Sequence, residues 1–91
     1  MAASTCIEAV ETGGPVKRSV MIAGHATSVS LEPIFWNALL DAAVGEGVPL
    51  SALVARIDAA RIAAPHPPNL ASAIRVWLFA RAIGGSENLS Q

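Results

Sequence analysis

"HATSVSLEPIFWNALL", residues 25–40, changes its period partway along. From Thr27 to Leu31 polar and apolar residues alternate, the two-residue period of a half-buried strand. From Pro33 onward the apolar residues fall at helical spacing. One short strand running straight into a helix leaves a row of backbone N–H and C=O groups unpaired. The fold therefore turns on where a second strand comes from.

The residues just upstream do not extend the same strand. "KRSVMIAGHATSVSL", residues 17–31, is rich in β-branched residues and reads as extended. Its two halves differ in parity: Val20 and Ile22 are even-numbered, Val29 and Leu31 odd. A single uninterrupted strand would send them to opposite faces. Ala23-Gly24-His25 must hold a bulge, a turn or a break, and Gly24 is the residue that permits it.

Downstream, three helices are predicted. The first starts with Pro33 as its first helical residue and ends before Gly47. Phe35, Ala38, Leu39 and Ala42 form one apolar stripe on it, and Trp36, Leu40 and Val44 a second, so two of its sides need cover. The second helix, "PLSALVARIDAARI", has Pro49 at its first position and a stripe of Leu50, Leu53, Val54, Ile57 and Ala60. "APHPP" ends it. Asn69 caps a third helix over 69–83, with Gly84 beyond its end. Leu70, Ile74, Trp77 and Leu78 on this helix are expected to cover the Trp36–Leu40 side of the first.

Residues 1–16 read as a disordered arm and 85–91 as a flexible tail, leaving one domain over 17–84. The chain is 53% hydrophobic with mean hydropathy +0.50. A 91-residue chain buries only part of such a surface alone, which favours self-association. No apolar run approaches the roughly 20 residues that span a bilayer. The N-terminus lacks the basic and apolar regions of a secretory signal. Cys6 is the single cysteine, which rules out an internal disulfide framework and suits a reducing cytoplasm.

Net charge is −1, yet residues 17–86 hold all six basic residues against Glu32, Asp41, Glu46 and Asp58, a net +2 that a dimer doubles to +4. His25 and His66 stand 41 residues apart with no further ligand nearby, so no metal site is expected. Ser4, Ser19 and Cys6 have no base at a recognisable spacing, and no phosphate-binding glycine pattern occurs. The expectation is therefore a non-enzyme without a cofactor. Asp58 and Arg75 are placed to pair between the second and third helices, and Arg56 and Arg61 read as solvated.

The simplest source of a second strand is another copy of the chain, with two Thr27–Leu31 segments paired antiparallel about a two-fold axis. The order of strand, helix, glycine-containing turn and helix over residues 25–62 resembles the ribbon-helix-helix fold of the MetJ/Arc repressors. "RSVMIAGHATSVSLEPIFWNALL", "ALVARID" and "NLASAIRV" together resemble, over residues 17–80, a bacterial ribbon-helix-helix subfamily with an extra C-terminal helix. The resemblance implies a mainly α fold with a short β-strand, an intertwined homodimer with an intersubunit antiparallel ribbon, and a third helix.

It also implies a DNA-binding regulator, a repressor in the named examples, acting as a homodimer on a palindromic operator. Ala26, Ser28 and Ser30 then face the bases. Lys17, Arg18, and Leu50 and Ser51 at the start of the second helix would contact phosphates. Val29, Leu31, Phe35, Leu39, Leu53 and Ile57 would form the dimer core. The alternative is a dimeric protein-interaction module on the same fold without DNA contact.

Overall fold

A computed structural model describes residues 13–90, with side chains as far as residue 84. Most of the expected N-terminal arm, with Cys6, lies outside the described residues. Strand β1 (Val16–Ile22) and strand β2 (His25–Leu31) form a two-stranded antiparallel sheet, followed by helices α1 (Pro33–Glu46), α2 (Leu50–Ile62) and α3 (Leu70–Ser90). The second strand is therefore upstream in the same chain. β2 pairs with β1 along one edge, in register from Val16↔Leu31 to Ile22↔His25, and the other edge of β2 is unpaired in this two-stranded sheet.

Ala23-Gly24 is the two-residue turn that makes this possible. Ala23 has φ 51° and Gly24 φ 85°, positive at both central positions. Such turns match the right-handed twist of the flanking strands. Ala23 has a Cβ and pays about 1–2 kcal/mol for that conformation. The turn also resolves the parity conflict. Val20, Ile22, Val29 and Leu31 all lie on the buried face, at 6%, 8%, 3% and 0% exposure.

α1 begins as expected, with Pro33 in its first turn and Glu32 as its N-cap. It ends at Gly47, in the left-handed region at φ 71°, whose N–H bonds the Val44 carbonyl while the Val48 N–H reaches back to Ala43. This is the usual glycine termination of a helix. α2 starts one residue later than expected, with Pro49 as its cap rather than its first helical residue. Asn69 caps α3 through its Oδ1, which accepts the Ser72 N–H at 2.8 Å. α3 runs past Gly84 to Ser90, so the predicted stop does not operate and the helix takes in most of the expected tail.

The core lies between the sheet's inner face and the three helices. α1 contributes Trp36, Leu39, Ala42 and Ala43, α2 contributes Leu53, Val54 and Ile57, and α3 contributes Ile74 and Leu78. Val29, Leu31, Leu39, Leu53 and Ile57 are thus buried within a single chain, and Phe35 packs partly buried against them.

α3 does not cover the side of α1 predicted for it. It lies along Ala38 and Ala42, with Leu78 and Arg81 facing them across a shallow cleft. Trp36 is covered instead by the hairpin: its Nε1–H donates to the Val16 carbonyl at 2.8 Å. Leu40 and Val44 remain 41% and 81% exposed. The reason is helical pitch. Each four-residue step turns about 40° further round a 3.6-residue helix, so a stripe that starts in the core at Trp36 has rotated out of it by Val44.

Among the described residues no single helix is long and apolar enough to cross a membrane.

Candidate nucleic-acid interface

A two-stranded ribbon has two faces, and the register assigns every residue to one of them. The inner face takes the even positions of β1 and the odd positions of β2. The outer face therefore carries three cross-strand pairs: Lys17 with Ser30, Ser19 with Ser28, and Met21 with Ala26. Five of these six are exposed and Ser30 is half-buried. Facing Cβ atoms in such pairs stand about 4.5–5.5 Å apart, so each pair acts as one small surface.

Ala26, Ser28 and Ser30 thus share the solvent face expected of them. Ser19 and Met21 join them, and sequence reasoning missed both. The parity break at Ala23-Gly24 carried the signal: once it is read as a two-residue turn, the odd positions of β1 fall on the same face as the even positions of β2.

Lys17 and Arg18 fall on opposite faces of the ribbon. Lys17 points outward with the serines. Arg18 belongs to the inner parity, directly across from Val29, and its guanidinium lies 5.2 Å from the centre of the Trp36 ring. The contact holds the cation at the rim of the sheet by attraction to the ring's negative face.

The other four basic residues are engaged by carboxylates. Arg75 grips Glu32 with two hydrogen bonds of 2.9 and 3.1 Å, tying α3 to the start of α1. Glu46, at the end of α1, holds Arg56 of α2 at 3.1 Å and Arg81 of α3 at 2.7 Å. Arg61 pairs with Asp58 on its own helix and donates to the Pro68 carbonyl at 3.1 Å. The expected Asp58–Arg75 pair is therefore not made, because each has a partner closer at hand. Nor are Arg56 and Arg61 merely solvated.

Among the described residues, Lys17 and Arg18 are the basic side chains without an ion pair. Residues 16–31 contain no acid at all. The unopposed positive charge of the fold is concentrated on its hairpin.

At the start of α2, the Ala52 and Leu53 N–H groups are taken up by the Pro49 carbonyl. The Leu50 and Ser51 N–H groups have no such backbone partner, as their place in the first turn requires. They do not join the hairpin's turn. That end of the hairpin, through Ile22, His25 and Thr27, shares a cleft of about 410 Å³ with Asp58 and Arg61. Ser51 lies seven residues back from Asp58, about 10 Å along the helix. No group of three metal-ligating side chains occurs among the described residues.

The ion pairs make stability depend on acidity. A hydrogen bond from Arg75, and then one from its own backbone, hold the Glu32 carboxyl below its ordinary value. Arg56 and then Arg81 do the same for Glu46. A carboxyl depressed by folding adds stability in full above its unfolded value of 4.5. That contribution is lost as pH falls through the lower folded value. The melting temperature is expected to drop below pH 4.5, and to drop less steeply in Glu32→Gln/Glu46→Gln, which starts lower at pH 7. Melts followed by circular dichroism across this range test it. Parallel curves for the two proteins would mean that solvent screens these exposed pairs out.

A family model described as a ribbon-helix-helix domain matches residues 15–82. No curated protein and no solved structure matches the chain.

Proposed function

The chain belongs to the ribbon-helix-helix domain family, and from that premise we propose that it is a sequence-specific DNA-binding transcriptional regulator. The family is broadly one of DNA-binding regulators. The observation that carries the reading here is the hairpin: a two-stranded ribbon, largely polar on its outer face, free of acids, and holding the basic side chains that no carboxylate engages among the described residues. A two-stranded ribbon fits the roughly 12 Å width of the major groove.

In this reading Ser28 and Ser30 meet base edges, and Ala26 allows close approach. Lys17 and Arg18 on β1, and Leu50 and Ser51 at the start of α2, hold phosphates. Two copies act together in the cytoplasm on a palindromic operator, reading the major groove with a dimeric β-ribbon. Exposed apolar side chains are available for the contact between copies, Leu40 and Val44 on α1 and Val76 and Phe79 on α3.

The test is selection of bound duplexes from a random pool, followed by binding to the consensus and to a scrambled sequence. A palindromic consensus is expected. Ser28→Ala lies outside the core and leaves the fold intact. It is expected to lower affinity by at most about 1–3 kcal/mol, mainly at one base step in each half-site.

A second reading, a protein-interaction module, is favoured by one specific feature. Ala60 near the end of α2, Ala64 just beyond it, and Ala73, Val76, Trp77 and Ala80 of α3 line an almost wholly apolar groove of about 380 Å³. Equal binding to specific and scrambled DNA at low salt, or none to either, would select this reading instead.

A further inference from the structure

We infer that the cleft between the turn end of the hairpin and the junction of α2 with α3 binds a free α-amino acid with an apolar side chain. Arg61 takes its carboxylate and Asp58 its ammonium group. The inference stands apart from the DNA-binding reading and needs no contact with DNA.

The cleft holds about 410 Å³, toward the small end of the roughly 300–1,000 Å³ typical of small-molecule pockets. All the elements around it contribute. Ile22 ends β1, Thr27 stands on β2, Asp58 and Arg61 on α2, and Asn69 and Leu70 open α3.

Its polar groups have hydrogen-bonding capacity left over. Asp58 receives the Arg61 Nε–H at 2.9 Å and lies 2.8 Å from Nη2, both through Oδ1, so Oδ2 is left to accept. Arg61 also gives one Nη1–H to the Pro68 carbonyl. A guanidinium has five N–H groups, so each terminal nitrogen keeps one more. Asn69 spends its Oδ1 on the Ser72 N–H, which leaves its amide N–H groups to donate. The Thr27 hydroxyl can do either.

The arrangement of charge selects the ligand. The Asp58 and Arg61 side chains are 15% and 24% exposed and lie side by side. A simple anion drawn to Arg61 is repelled by Asp58, and a simple cation drawn to Asp58 is repelled by Arg61. A molecule with both charges one carbon apart meets each attractively, and an α-amino acid is that molecule. Its carboxylate accepts from the outer N–H groups of Arg61 and from Asn69. Its ammonium group donates to Asp58 Oδ2 and to Thr27. Ile22, Ala23 and Leu70 form the apolar wall that receives its side chain.

Calorimetric titration of the full chain, without DNA, tests this with leucine, valine and phenylalanine. At least one is expected to bind with a Kd below about 1 mM. The tightest binder is then compared with its two truncated counterparts, one lacking the amino group and one the carboxyl group. Each is expected to bind at least about tenfold more weakly. Asp58→Asn keeps an acceptor for Arg61 and removes the negative charge. It is expected to weaken the amino acid by at least about tenfold, and to bind the counterpart lacking the amino group more tightly than the unaltered protein does. A merely structural role for Asp58 would not produce that reversal.

Amide chemical shifts of the unaltered protein, followed through the titration, are expected to move around Thr27, Asp58 and Asn69, and they decide the matter should Asp58→Asn not fold. Binding by none of the three amino acids, equal binding of a truncated counterpart, or shifts centred on another face would each overturn the inference. Any of these leaves the regulator reading in place, and failure to bind DNA leaves this site in place.

Discussion

Leu31→Asp is expected to leave the chain unfolded at 25 °C. Leu31 is 0% exposed and closes the inner face of β2 just before α1 begins. Its cross-strand neighbour is Val16, which offers no charge and no side-chain donor. An unpaired buried carboxylate costs several kcal/mol. A domain of this size rests on a total stability near the low end of about 5–15 kcal/mol. Far-ultraviolet circular dichroism with urea titration checks the result, which is the loss of a cooperative transition.

Val29→Asp makes the informative comparison. Val29 is 3% exposed on the same face of the same strand, but Arg18 stands directly across from it. A carboxylate there has a cation within reach, so this variant is expected to retain a transition that Leu31→Asp lacks. If the two are equally unfolded, the Trp36 ring holds Arg18 too firmly for it to serve as a counter-ion.

Trp36→Ala is expected to cost about 3–5 kcal/mol, the range for removing a large buried aromatic side chain. Trp36 is 1% exposed and performs three tasks from one position. Its ring fills the core under the hairpin, its Nε1–H satisfies the Val16 carbonyl at 2.8 Å, and its face steadies Arg18 at 5.2 Å. It is the side-chain link between the start of β1 and α1.

Trp36→Phe separates these tasks. It keeps most of the buried area and leaves the Val16 carbonyl without its side-chain donor, at about 1–3 kcal/mol or less near this partly exposed edge. Urea unfolding of both variants, with Trp77 as the remaining fluorophore, measures the difference. Equal losses in the two would mean that the hydrogen bond, and not the packing, carries the effect.

Periodicity in the sequence sufficed for much of this protein. It separated strand from helix at Pro33, placed the helix end at Gly47, identified Asn69 as a cap, and exposed the parity break at Ala23-Gly24. It also placed Val29 and Leu31 on the inner face and Ser28 on the outer. These features depend on local chemistry: a fixed φ at proline, the left-handed freedom of glycine, an amide side chain that accepts an N–H, and the alternation of a pleated strand.

What faces each element depended on tertiary structure. A parity break is satisfied equally by a bulge or by a turn, and Ala23 is a poor turn former, so the sequence did not reveal that β2 pairs with β1 of its own chain. Two apolar stripes on α1 required two covers without saying which element supplied each. Trp36 went to the hairpin and Ala38–Ala42 to α3, while Leu40 and Val44 stayed exposed. Gly84 could have ended α3, yet the helix continues to Ser90. The ion pairs were equally hidden. Glu32 and Arg75 are separated by 43 positions, and only the packing of α3 across the start of α1 brings them together. Among the described residues, Glu32, Glu46 and Asp58 together engage four of the six basic residues and leave Lys17 and Arg18 on the hairpin without an ion pair.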